Sequence, residues 1–128
     1  MLSFSNFGSV DHPVTKKVHD AVEAALKRKP DLIIDGEMQG DTAVIPEIIE
    51  EMFPFSRLKG GANVLIFPEL QSANITMNLL KRLGGAVSIG PIQIGLASPI
   101  HVIRPTATVE EIVRLTAIAV VDAQKWLV

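Results

Sequence analysis

Residues 5–9, Ser5-Asn6-Phe7-Gly8-Ser9, place two hydroxyls, an amide and a glycine between a short apolar stretch and the start of a helical pattern. Donors of that kind beside a helix N-terminus are how proteins cradle phosphate groups; the plainer reading is a strand-to-helix turn with a serine cap. Oxygens cluster again at Asp35, Glu37 and Asp41 around Gly36 and Gly40. They suit a divalent cation or acid–base work, or else a solvated loop. A basic set comprises Arg57, Lys59, Lys81, Arg82 and Arg104. Arg82 ends a helical stretch and Arg104 a strand, so the two are placed to converge on an anion, the alternative being surface or dipole-pairing charges. His12, His19 and His101 fall on different elements, with no second histidine four residues on and no cysteine, which argues against a metal site. His19 reads as facing solvent and His101, between Ile100 and Val102, as a hydrogen-bonded sheet residue. No Gly-x-Ser-x-Gly elbow, P-loop or Gly-x-Gly-x-x-Gly fingerprint occurs, so hydrolase and nucleotide-binding readings lack their motifs.

The elements that must hold these residues follow from the apolar spacing. Residues 64–68, fenced by Gly60-Gly61 and Pro68, form the most continuous apolar run and predict a strand buried on both faces, in the middle of a sheet. Residues 1–4 predict a strand that begins at once, as if more sequence once lay upstream. Val14, Val18, Ala21, Val22, Ala25 and Leu26 make one stripe over residues 13–29, predicting a helix with Pro13 in its first turn and Asp11 or His12 as its cap. A short strand at 31–36 completes a βαβ unit and hence a parallel sheet. Helices are predicted over 42–52, with Pro46 in the first turns, and over 71–83, stopped by Gly84-Gly85. Strands are predicted at 86–90 and 100–103. The last helix opens with the capping box Thr108 and Glu111 and runs to about Leu127. Between Ile112 and Val121 it is apolar nearly all round. It is therefore expected to pack against a partner chain or another domain, the alternative being a deeply wrapped core helix.

Composition sets the outer limits. With 128 residues, 48% of them hydrophobic, and no linker or low-complexity stretch, the chain reads as one domain with its own core. A net charge of −2, with 12 basic and 14 acidic residues intermixed, leaves no broad electrostatic footprint for nucleic acid or an anionic membrane. The absence of cysteine excludes disulfides and thiol chemistry and fits a reducing cytoplasm. Apolar runs fall well short of the ~20 residues of a membrane helix, and no basic region precedes a signal-like core. A soluble, untargeted protein is expected.

Met1-Leu2-Ser3-Phe4-Ser5-Asn6-Phe7-Gly8-Ser9, Asp35-Gly36-Glu37-Met38-Gln39, Gly61-Ala62-Asn63-Val64-Leu65-Ile66-Phe67-Pro68 and Ile89-Gly90-Pro91-Ile92 together resemble phosphate acetyl/butyryltransferases. They stand in the family's order and span nearly the whole chain. The ending Thr116-Ala117-Ile118-Ala119-Val120-Val121-Asp122-Ala123-Gln124 is closer still to the transacetylase-like C-terminal domain of bacterial NADP-dependent malic enzymes. The resemblance implies a three-layer α/β/α architecture with a mainly parallel sheet, similar to the isocitrate/isopropylmalate dehydrogenase-like fold of phosphotransacetylases. Residues 1–128 would be a single domain equivalent to the second half of such a unit, downstream of a catalytic domain that holds NADP and a divalent metal.

Members of that family move an acetyl group between coenzyme A and phosphate in a cleft between two subdomains. The active ones carry Ser-Arg-Gly a few residues after a Pro-Val-Asn-Asp-like strand, then an acidic residue at the start of the last helix. Counted without gaps from Pro99, Arg104-Pro105-Thr106 stand where Ser-Arg-Gly is expected, while Glu111 keeps the acidic position and Arg82 matches a helix-end arginine. A one-residue slip aligns Arg104 with the motif arginine but takes Glu111 out of register and still supplies no serine. Losing a transition-state contact of this kind lowers rates by ~10²–10³. The resemblance thus implies a domain with little or no transacetylase chemistry and no catalytic residues or cofactor of its own. It would bind acetyl-CoA or a related acyl-CoA as effector through Ser5, Asn6, Gly8, Ser9, Arg82, Arg104 and Glu111, and form at least a dimer through its last helix. An active phosphate acetyltransferase and a purely structural assembly module are the alternatives.

Overall fold

The computed structural model describes residues 1–124. The chain divides into two compact units, Met1–Thr76 and Met77–Val128.

In the first unit, α1 spans Pro13–Arg28, α2 Gly40–Val44 and α3 Pro46–Met52, and α4, Leu70–Leu83, begins there. α1 starts as its sequence predicts. His12 is the N-cap: its Nδ1 accepts the Val14 amide at 3.2 Å, and Thr15 Oγ1 reciprocates by accepting the His12 amide at 3.2 Å. The apolar stripe of α1 buries Val18 and Val22, each contributing about 1.5–3 kcal/mol relative to exposure. The single helix predicted over 42–52 is instead two. Pro46 disfavours helical dihedrals at the residue before it, and Ile45 is extended at φ −104°, ψ 106°, ending α2 and capping α3.

Among the described residues the strand pairing seen is one isolated bridge. Leu2 pairs in parallel with Met38 through Ser3 N–H to Met38 O (2.9 Å) and Met38 N–H to Met1 O (3.1 Å), and on its other side Leu2 N–H donates to Ile66 O at 2.8 Å. Leu2 is 6% exposed, whereas Val64 is 67% exposed. The run at 64–68, expected to be buried on both faces, is thus partly exposed, while Leu2 bonds to backbone on both sides. Leu2, Met38 and Ala43 form the core cluster, against which Phe7, Leu58, Leu65 and Phe67 pack.

In the second unit α4 ends at Leu83, where Gly84 N–H and Ala86 N–H both return to Leu80 O (2.9 and 3.1 Å) and Gly85 takes φ +65°. This is the glycine stop read from the sequence. α5 spans Val109–Gln124. Its predicted end near Leu127 lies outside the described residues. The stretches 86–90 and 100–103, predicted as strands, make no ladder among the described residues. Leu115 is buried, while Val109, Val113, Val120 and Val121 face outward. No helix among the described residues is long and apolar enough to cross a membrane.

Candidate functional site

The sequence-predicted residues fall in two places. Ser5, Asn6, Gly8 and Ser9 lie in the first unit and Arg82, Arg104 and Glu111 in the second.

The turn at 5–9 is built around a carboxylate of its own chain. Glu37 is 1% exposed, and its Oε1 accepts the Gly8 amide at 2.6 Å and the Ser5 hydroxyl at 3.0 Å. The neighbouring donors are taken as well. Asn6 N–H donates to Ser9 Oγ, Phe7 N–H to Glu37 O, Ser9 N–H to Asn6 O and Val10 N–H to Ser5 Oγ. The Asn6 side chain pairs with Gln39, accepting its amide at 2.7 Å and donating to its Oε1 at 3.3 Å. Positive φ at Phe7 (48°) and Gly8 (83°) wraps the backbone around the carboxylate. A buried carboxylate must find donors, and these are the ones it finds. In this structure the turn at residues 5–9, expected to offer donors to a phosphate, directs the Gly8 amide and the Ser5 hydroxyl at Glu37.

The acidic cluster is likewise split among local tasks. Asp35 accepts from Gly36 N–H, Ser56 O–H and Arg57 N–H at 2.7–2.9 Å, and Asp41 accepts from Thr42 N–H at 2.8 Å. No group of three or more His, Cys, Asp or Glu side chains among the described residues is arranged to hold a metal ion. His19 is half exposed, with Nδ1 3.7 Å from Glu37 Oε2. His101 Nδ1 accepts the Gln93 amide at 3.3 Å, which puts the ring proton on Nε2, a buried donor without a partner among the described residues.

In the second unit the cations do gather, though not as predicted. Glu111 sits at the first turn of α5, where the predicted capping box forms: Thr108 N–H donates to Glu111 Oε2 (2.9 Å) and Glu111 N–H to Thr108 Oγ1 (3.2 Å). Lys81 Nζ lies 3.6 Å from Glu111 Oε1. The Thr108 amide above all, then Lys81 and Arg104, hold the Glu111 carboxyl below the usual range. Arg104, Glu111 and Leu115 line a hollow of about 30 Å³ with Gly90 and Pro91, room for one water-sized group. Arg82 is exposed on the last turn of α4. The residue that reaches Glu111 from α4 is its neighbour Lys81, which the sequence offered only as one cation among five.

Residues 1–120 match the phosphate acetyl/butaryl transferase family. The chain belongs to that family. Among its relatives, the NADP-dependent malic enzyme of Escherichia coli is 46% identical over 125 residues, covering 97% of this chain and 16% of that protein. The phosphate acetyltransferase of Clostridium acetobutylicum is 46% identical over 127 residues, covering 99% of this chain and 38% of that protein. A phosphotransacetylase from Streptococcus pyogenes superposes with a TM-score of 0.90 at 41% identity over 98% of this chain and 38% of that one. The EutD phosphotransacetylase from Staphylococcus aureus gives 0.88 at 38% identity, over 97% and 38%. Both likenesses agree with an α/β fold. The chain thus spans well under half the length of the family members it matches.

Proposed function

We propose that this chain serves as the regulatory, phosphotransacetylase-like domain of an NADP-dependent malic enzyme. It binds acetyl-CoA or a related acyl-CoA, transfers acyl groups weakly or not at all, and assembles at least as a dimer through α5. In this reading it works in the cytoplasm as one three-layer α/β/α domain with a mainly parallel sheet, and NADP and the divalent metal belong to an upstream catalytic domain.

The observation that carries it is the occupation of Glu111. At the position of the family's acidic residue, its carboxylate already caps α5 and pairs with Lys81, and Arg104-Pro105-Thr106 stand where Ser-Arg-Gly is expected. A carboxylate engaged by an amide and an ammonium is poorly placed to take a proton from a thiol. The same group keeps two cations, Lys81 and Arg104, around one anion, and that excess positive charge suits a phosphate or pyrophosphate. Arg82, Arg104 and Glu111, with Lys81 added, are the ligand residues; Ser5, Asn6, Gly8 and Ser9 hold the fold of the turn. For binding to regulate, the ligand must favour one arrangement of an interface, and the outward apolar side of α5 supplies that surface.

Calorimetry on the full-length protein with acetyl-CoA tests the reading. Removing a charge-assisted contact costs about 1.5–3 kcal/mol, so Arg104→Ala and Arg82→Ala should each weaken binding by roughly 10- to 150-fold. Absence of binding, or unchanged affinity in both variants, overturns the site. The second reading, an active phosphate acetyltransferase, is favoured by the equal 46% identity to the Clostridium acetobutylicum enzyme. Acetyl-CoA formation from acetyl phosphate and coenzyme A by the full-length protein would establish it.

A further inference from the structure

Glu37 is gripped by only one of its two carboxylate oxygens. Oε1 takes the Gly8 amide and the Ser5 hydroxyl. Oε2 accepts no hydrogen bond among the described residues and stands 3.7 Å from His19 Nδ1, beyond hydrogen-bond reach. The side chain is 2% exposed, and a buried acceptor left without a donor is costly. Beside it lies a hollow of about 280 Å³ between the turn at 8–11 and the first two turns of α1, with Gly8, Val10, Asp11, Lys16, His19 and Glu37 in its lining. All of these residues belong to the first unit. Two carboxylates, Asp11 and Glu37, thus meet one ammonium, Lys16, and that ammonium is already held by Asp20 at 3.0 Å. His19 turns its other nitrogen toward Glu23, 3.6 Å away. The balance is negative, which draws a cation and turns an anion away.

We propose that this hollow binds a small primary amine in its ammonium form, the nitrogen donating to Glu37 Oε2, its charge balanced by Asp11 and its alkyl part resting on Val10. The kind of cation follows from what is already taken. A divalent metal wants about six oxygens, and no group of three or more His, Cys, Asp or Glu side chains among the described residues could hold one. A guanidinium is best met by both oxygens of one carboxylate, and Oε1 of Glu37 is occupied. An alkylammonium is a compact charge whose N–H groups each need a single acceptor, which is what Oε2 provides. Size limits it further, since about 280 Å³ falls just under the ~300–1,000 Å³ of sites for drug-sized molecules. This hollow shares no residue with Lys81, Arg82, Arg104 and Glu111, so either site can fail without the other.

Ethylammonium chloride is titrated into the isotope-labelled protein and followed by amide NMR, with tetramethylammonium chloride and sodium chloride at equal ionic strength as cations that lack an N–H donor. Three non-hydrogen atoms limit the Kd to about a millimolar or weaker, so the titration runs to about 50 mM. Saturable shifts at Gly8, Asp11, His19 and Glu37 are expected with ethylammonium and not with the two controls. Glu37→Gln should weaken binding by about tenfold or more, as for a lost charge-assisted hydrogen bond. Asp11→Asn changes an exposed residue and should weaken binding by about two- to fivefold, which keeps the test open if Glu37→Gln does not fold. Shifts that never saturate, equal shifts from tetramethylammonium, or unchanged affinity in whichever variant folds overturn the proposal. So does N-acetyl-lysine methylamide binding about tenfold tighter than ethylammonium, because the occupant is then a lysine of another protein.

Discussion

The second unit has the more apolar sequence, yet it is the first that buries its apolar side chains. In residues 1–76 the apolar side chains close on one another: Leu2, Met38 and Ala43 form a cluster, and Val18, Val22 and Ile49 are buried elsewhere in the unit. The polar groups taken inside, Ser5, Thr15, Glu37 and Ser56, each hold a hydrogen bond. Among the described residues of the second unit Leu115 alone is buried. That unit relies on a capped helix start, a glycine stop and partly exposed ion pairs, Lys81 to Glu111 and Arg114 to Glu110. Exposed pairs contribute little. An apolar composition stabilises a unit only to the extent that its geometry brings the side chains together, and satisfied buried polar groups then fix which geometry it is.

The sharpest way to break this contrast is to cut one core residue from each unit. Leu2→Ala should cost about 2–5 kcal/mol, because the cluster around it cannot collapse freely, and urea unfolding measures it. Leu115→Ala should cost less than about 2 kcal/mol, since one isolated side chain loses fewer contacts. Equal losses would show that the second unit is as well packed as the first. Glu37→Gln comes next. It keeps the shape but weakens the carboxylate's hold on the Gly8 amide and the Ser5 hydroxyl, for about 1–3 kcal/mol, with faster exchange at Gly8 as the local signature. Thr108→Ala is smaller, about 1 kcal/mol for a lost N-cap, and circular dichroism should place its effect in helix content.

Local rules made much of this legible. Pro13, Gly84-Gly85 and the Thr108–Glu111 pair mark helix ends through interactions within a few residues, and the structure has them where the sequence put them. Family membership was legible for the same reason, because its motifs are contiguous. What escaped depends on distant partners. Nothing near residues 5–9 announces that Glu37, some thirty residues on, supplies the anion, although a glutamate fixed between glycine and methionine beside a strand was a signal that a buried role was open. Apolarity predicted that residues 64–68 are buried on both faces, yet Val64 and Ile66 are exposed while Leu2 is buried, because burial is decided by what packs on a segment and not by its own composition. Pro46 was visible, but its effect falls on Ile45, so one helix was read where two exist. At the proposed site Arg82 and Lys81 are adjacent on a helix, and spacing alone does not say which of the two turns toward Glu111.

The smallest effect separates two carboxylates that perform related work in the two units. Glu69 accepts the Gln71 amide at 2.6 Å and the Ser72 amide at 2.7 Å at the start of α4; Glu111 accepts one amide at the start of α5 and faces Lys81. Both carboxyls are held below the usual range, Glu69 chiefly by its hydrogen bonds from Ser72 and Glu111 chiefly by that from Thr108. A carboxyl whose pKa is lower folded than unfolded contributes stability that is fully present above the unfolded value and is lost as pH falls through the folded one. Glu69→Gln and Glu111→Gln should therefore each lower the melting temperature at neutral pH, and both differences should shrink as the pH is lowered below the ordinary carboxylate range. Salt separates the two. Raising ionic strength to about 0.5 M screens charge–charge attraction far more than a direct N–H to oxygen bond. The Glu111→Gln difference should then shrink while the Glu69→Gln difference persists. If both shrink alike, Lys81 contributes nothing particular to Glu111, and the excess positive charge argued for the second unit is free to pair elsewhere.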